Sequence, residues 1–137
     1  MGNWRVEGLD HLAITVADVE VTIDWYERVL GAELLYEELW KARAMPVALL
    51  QIGASRLSLH DAASPAAPHA RVVTPGSADV CFRVNGAIDE ILASLTDGGV
   101  VVVEGPVARP AATGAAGLSL YVRDPDGNLV ELLSTTP

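Results

Sequence analysis

This chain has one cysteine, Cys81, so no internal disulfide can form and packing alone must hold the fold. A lone cysteine suits a reducing compartment, and a cytoplasmic location is the expectation. Basic residues are scarce: 9 Lys and Arg stand against 18 Asp and Glu, a formal charge of −9. A surface of that sign repels phosphate backbones and anionic membranes, so neither nucleic acid nor a membrane is an expected partner. No apolar run is long enough to span a bilayer, and no basic-then-apolar N-terminal stretch reads as a signal peptide. G-x-S-x-G, a phosphate-binding glycine loop and a zinc-ribbon cysteine set are all missing, which removes three common chemistries. What the chain does have is apolar bulk. Half of its 137 residues are hydrophobic, enough for a sizeable core without covalent staples.

The hydrophobic pattern repeats. From Asp10 to Val16, residues alternate: His11, Ala13 and Thr15 on one face, Leu12, Ile14 and Val16 on the other, as in a strand. Asp18 is placed to cap a helix carrying Val19, Ile23, Tyr26 and Leu30, and Gly31 to end it. A strand over 33–38 follows, then a hairpin of 47–52 and 56–60 about Gly53-Ala54-Ser55; Trp40 falls in a loop. The order then returns. Asp79, Cys81 and Arg83 alternate with Val80, Phe82 and Val84; Ile88, Ile91, Leu92 and Leu95 mark a helix closed by Gly98-Gly99. A strand over 100–104 is expected next. A loose Gly- and Pro-containing segment over 105–117, a surface loop or a lid, leads to a closing hairpin of 118–123 and 128–133 about Asp124-Pro125-Asp126-Gly127. One constant offset aligns His11 with Asp79, Ile23 with Ile91 and Gly31 with Gly99. The Ala-, Pro- and Ser-rich stretch between the halves, which includes His69, reads as a solvated crossing linker.

Four residue types suited to a metal fall on these strands: His11 and His60 in the first half, Asp79 and Glu131 in the second. A slightly longer offset pairs His60 with Glu131, and a single-residue slip in register would turn a side chain to the wrong face. Imidazoles with carboxylates suit a borderline divalent ion, Zn, Ni, Co, Mn or Fe(II), with positions open for substrate. Taken singly, each has a plainer reading: a structural or surface histidine, a strand-start aspartate, a buried glutamate that needs a partner. Arg83, Tyr121 and Arg123 are the candidate substrate-binding residues; Arg83 would otherwise pair with a carboxylate, and Arg123 would otherwise brace the Asp124 turn.

Leu9-Asp10-His11-Leu12-Ala13-Ile14-Thr15-Val16-Ala17-Asp18, then Trp25-Tyr26 through Leu30-Gly31, and the Asp-Pro-Asp-Gly-Asn-Leu-Val-Glu ending resemble the vicinal-oxygen-chelate superfamily, which contains glyoxalase I, fosfomycin-resistance transferases, extradiol dioxygenases and bleomycin-resistance proteins. Leu57-Ser58-Leu59-His60, Pro75 to Cys81 and Glu104-Gly105-Pro106-Val107 look most like its glyoxalase-domain virulence-type members. The resemblance implies an α+β fold of two tandem βαβββ modules forming a cupped mixed sheet. It implies one domain over 1–137, with module 1 at about 8–62, a linker at about 63–77 and module 2 at about 78–135. It also implies a homodimer acting on a small molecule. The superfamily's metal positions would fall on His11, Glu131, Asp79 and either His60 or Ser58, and many relatives carry histidine where this chain has Asp79. The expected activity is a metal-dependent lyase, isomerase or transferase of the glyoxalase type, with the ion as a Lewis acid and Glu131 as the catalytic base. The rival expectations are a non-catalytic drug- or metabolite-binding protein and an extradiol-type dioxygenase.

Overall fold

The computed structural model describes residues 2–137. In chain order the elements are β1 (Leu12–Val16), α1 (Val19–Leu30), β2 (Glu33–Leu35), α2 (Glu37–Lys41), β3 (Ala48–Ile52), β4 (Ser55–Asp61), β5 (Asp79–Val84), α3 (Ile88–Asp97), β6 (Glu104–Pro110), β7 (Ala116–Arg123) and β8 (Leu129–Ser134). They form two four-stranded sheets, ordered β1-β4-β3-β2 and β5-β8-β7-β6. In each, the first strand runs parallel to the last and the remaining pairs are antiparallel. The chain is thus two βαβββ modules, as the repeat implied. β1 and β5 are each edge strands of their own sheet.

Local chemistry sets the helices. The Asp18 side chain accepts from Val21 N at 3.1 Å, satisfying one orphan donor at the start of α1. Gly31 closes α1 in the left-handed region, φ 65°, where glycine carries no Cβ penalty. Val19, Thr22, Ile23, Trp25 and Tyr26 make its buried face. They pack with Ile14 and Val16 of β1, Leu57 and Leu59 of β4, and Leu120, Val122, Val130 and Leu132 of the second sheet in one continuous core.

Two expected elements differ. The strand over 33–38 stops at Leu35, because Tyr36 turns into the left-handed region (φ 52°) and the chain enters α2. Trp40 therefore lies on a helix, buried, its Nε1 donating to Glu20 Oε1 at 2.9 Å. The expected strand over 100–104 and the loose segment after it are also redrawn. Strand β6 begins only at Glu104 and runs through Pro106 to Pro110. Prolines lack the N–H that a central strand would need, yet β6 is an edge strand and tolerates them. The loop or lid expected over 105–117 is a β-hairpin whose turn is closed by Ala111 N to Ala115 O at 2.8 Å.

The modules are tied together at the turn between β7 and β8. Asp124 is buried, and its Oδ1 accepts from Asp126 N at 3.0 Å and Asn128 N at 2.9 Å. Its Oδ2 accepts from Asn128 Nδ2 at 2.8 Å and from the Tyr26 hydroxyl of α1 at 2.8 Å. Burial and the adjacent Asp124 push the Tyr26 hydroxyl far above the usual phenol range, so it stays a donor at any physiological pH. Asn128 Oδ1 then accepts from Ala78 N, at the end of the linker, at 2.8 Å, and Asp126 Oδ1 accepts from Ala17 N at 3.1 Å. Tyr26→Phe should cost about 1–2 kcal/mol, since Oδ2 keeps one of its two donors. Asn128→Ala should cost roughly 3 kcal/mol or more, because it removes donors and an acceptor from a closed network. Urea denaturation read by circular dichroism checks both; equal losses would contradict the ranking.

Candidate functional site

On the second sheet, the ladder sets Cys81 opposite Glu131 and Glu131 opposite Tyr121, and Tyr121 faces Glu104 on β6. Opposed residues share a face, so these four side chains make one row on the side away from the helix-covered core. Ser119, one step along β7 on that face, donates its Oγ to Glu131 Oε2 at 2.7 Å. Arg109 Nε donates to the Tyr121 hydroxyl at 3.1 Å, with its guanidinium carbon 5.8 Å from the ring centroid. Burial and the Glu131 carboxylate beside it raise the Cys81 thiol to about 11. Burial also raises the Tyr121 hydroxyl, with Glu131 pushing the same way and Arg109 opposing.

The first sheet carries the imidazoles. Ala13 lies opposite Ser58 and Thr15 opposite His60. His11 precedes β1, and its Nδ1 lies 2.7 Å from Asp10 Oδ1. The hydrogen bond and the charge of His11 hold Asp10 below the usual carboxylate range. A Nδ1 proton shared with a carboxylate leaves Nε2 as the free lone pair, an arrangement common behind metal-bound histidines. Burial, with His69 and His11 nearby, lowers the His60 imidazole, so it is neutral at pH 7 and able to act as a ligand. A cavity of about 520 Å³ is lined by His11, His60 and His69 together with Ala13 and Thr15. The linker histidine, expected to be simply solvated, is thus a wall of this cavity, oriented by a 2.8 Å contact of its Nδ1 with Ala70 O.

Register decides how the halves correspond. With β1 laid on β5, Ala13 falls on Cys81, so the counterpart of Glu131 is Ser58, not His60. His60 lies farther along the same face, opposite Thr15. Asp79 sits opposite Leu129, not in the Glu131 row. The structure therefore groups the two histidines on one sheet and the two carboxylates on the other. Among the described residues, no three His, Cys, Asp or Glu side chains converge to hold one metal ion. A larger cavity, about 660 Å³, opens beside Arg83 at the β5 edge, but neither an imidazole nor a carboxylate lines it.

Of the three expected substrate-binding residues, Tyr121 stands next to Glu131. Arg83 NH1 reaches Thr135 Oγ1 at 3.3 Å, and Arg123 NH1 donates to Gly127 O at 3.0 Å, bracing the Asp124 turn. The residue missed was Arg109, hidden in a stretch read as loop because of its prolines and glycines. Its signal was a charged residue in register with Gly117 on an edge strand, which required knowing the pairing. In metal-free protein at pH 8, Cys81 should react with iodoacetamide roughly a hundredfold more slowly than free cysteine, since a raised thiol stays protonated until the pH nears its titration point. Glu131→Gln should speed that reaction. A wild-type rate equal to that of free cysteine would contradict the environment described.

Known proteins share both this sequence pattern and this architecture. The profile of the Glyoxalase/Bleomycin resistance protein/Dioxygenase superfamily matches residues 8–132. Virulence protein STM3117 of Salmonella typhimurium is 40% identical over 128 residues, covering 93% of this chain and 83% of that protein. Its crystal structure superposes with a TM-score of 0.84 at 37% identity, over 96% of this chain and 98% of that one. Glyoxalase domain-containing protein RDO1 of Mycosarcoma maydis is 41% identical over 129 residues, covering 94% of this chain and 69% of that protein. A fosfomycin resistance protein, FosX, of Listeria monocytogenes, solved in complex with Mn(II), shares the fold at 20% identity and a TM-score of 0.67, over 95% of this chain and 94% of that one. With a matching profile over nearly its whole length and the paired βαβββ modules to go with it, the chain belongs to the glyoxalase/bleomycin resistance protein/dioxygenase superfamily.

Proposed function

We propose that this protein is a divalent-metal-dependent enzyme of the glyoxalase type, acting in the cytoplasm on a small substrate with vicinal oxygens. The observation that carries this reading is Glu131. Its carboxylate lies on the open face of a sheet beside Cys81 and Tyr121, with Oε2 held by Ser119. Burying a carboxylate among strands is costly unless it has a task or a partner, and here one oxygen is anchored while Oε1 accepts no hydrogen bond among the described residues.

The donor chemistry fits a borderline divalent ion: His11 with Nε2 free, a neutral His60, and the carboxylates Asp79 and Glu131. These donors are split between the sheets, and a second copy of the chain is the natural way to bring an imidazole half to a carboxylate half. The homodimer is supported by two features of the monomer. Its edge strands β1 and β5 each leave one edge without a ladder partner, and Trp4, Val6 and Leu9 of the N-terminal arm are strongly exposed.

When bound, such an ion supplies Lewis-acid polarisation of the paired substrate oxygens. The chain's own residues would do the rest. Ser119 fixes the Glu131 carboxylate so that Oε1 faces the substrate and takes its proton. Tyr121, its hydroxyl raised and protonated at neutral pH, donates to a substrate oxygen.

Chelator-stripped protein titrated with Mn(II), Ni(II) or Zn(II) tests the reading. One of these ions should raise the thermal midpoint, corresponding to about 2.7 kcal/mol at a concentration a hundredfold above Kd. His11→Ala and Glu131→Gln should each abolish most of the rise, and mixed dimers of the two variants should recover about half of it by re-forming one site. Protein purified without chelators that holds under about a tenth of an equivalent of metal, with no rise on addition, would overturn the proposal.

A further inference from the structure

The guanidinium beside Glu131 has a position that local pairing does not explain. Strand β6 carries a bulge: Glu104 lies opposite Tyr121 and Val107 opposite Ser119, so one extra residue is taken up between them. The bulge is built on Gly105, at φ 107°, where any Cβ would collide with the backbone carbonyl of Ser119. Its effect is on direction. An unbulged strand would turn Val107 and Arg109 to the core side; the extra residue returns both to the face of Ser119, Tyr121 and Glu131. Arg109 lies opposite Gly117, which has no side chain, and the open lane lets it fold along β7 to the Tyr121 hydroxyl.

Its remaining contacts are weak. NH1 donates to the neighbouring Ala108 O at 3.0 Å, and NH2 lies 3.8 Å from Glu104 Oε1, beyond hydrogen-bond distance. The Arg109 and Glu104 side chains are 43% and 58% exposed, so this pair adds little stability. A guanidinium has five N–H donors, and here one is fixed by Tyr121 while the NH2 pair has no acceptor among the described residues. The Tyr121 hydroxyl accepts from Arg109, so its own proton remains to be donated. Arg83 and Arg123 on the same sheet are already committed to Thr135 and Gly127.

We propose that Arg109 and Tyr121 form an anion subsite beside Glu131, which takes a carboxylate, phosphonate or phosphate group of the substrate. The fork of guanidinium N–H groups and the phenol proton match the oxygens of such a group. The assignment rests on the reading of the Glu131 face as the substrate site, and it narrows the substrate to an anionic compound.

The test uses inorganic phosphate and its neutral counterpart trimethyl phosphate on full-length, metal-free protein, followed through the guanidinium resonances of Arg109 by NMR. Phosphate should move these resonances saturably, and trimethyl phosphate should leave them in place. Arg109→Met should weaken phosphate binding by about tenfold or more with an unchanged thermal midpoint, and Arg109→Lys should recover part of the loss. Unmoved resonances, equal affinity in Arg109→Met, or equal response to the neutral ester would overturn the subsite. Because no metal is present, the outcome is independent of the metal titration: phosphate binding at Arg109 without metal uptake leaves the subsite standing and removes the metalloenzyme reading, whereas metal uptake without phosphate binding does the reverse.

Discussion

The Asp124 carboxylate is the constraint on which the rest of this structure depends. It joins a helix near the start of the chain to a turn near its end, through one phenol, two backbone amides and one side-chain amide. A buried carboxylate would ordinarily be a liability. Here every donor that reaches it comes from a residue whose position is fixed by something else: Tyr26 by the buried face of α1, Asn128 by its grip on Ala78. The turn sets where β8 starts, and β8 sets where Glu131 stands. The motif that first drew notice as the lead-in to a ligand is the clamp that holds that ligand's strand.

The sequence was legible where a single period or a single residue type decides the outcome. α1 could be read from Asp18 to Gly31 because capping chemistry marks both ends. β1, β5 and β8 showed their alternation. The unread parts share a cause: the deciding partner lies far away in the chain. Nothing near Glu37 announces that Trp40 will be anchored by Glu20, so a short helix was read as strand and loop. Prolines in β6 signal a loop unless the strand is known to be an edge. The site shows the same division. His11 and Glu131 could be singled out as residue types on strands, but the match of Glu131 with Ser58 needed the ladder, and Arg109 needed the bulge.

Electrostatically the two modules are not equivalent copies. The first presents imidazoles around a cavity whose lining contains no carboxylate. The second presents carboxylates and a thiol with one loosely held guanidinium. A duplicated scaffold has been given opposite chemical characters on its two sheets, and chemistry that needs both a neutral nitrogen base and an anionic oxygen base has to draw on both.

The Tyr26–Asp124 hydrogen bond also bears on cooperativity. Two modules joined by a proline-rich linker might be expected to melt separately, each as its own unit. Here the closing hairpin of the second is anchored in the first helix of the first, within one shared core. Opening either module exposes the carboxylate that stabilises the other, so the halves are coupled into a single unfolding unit despite their separate sheets. The last strand of the chain is then in place only when the first helix is.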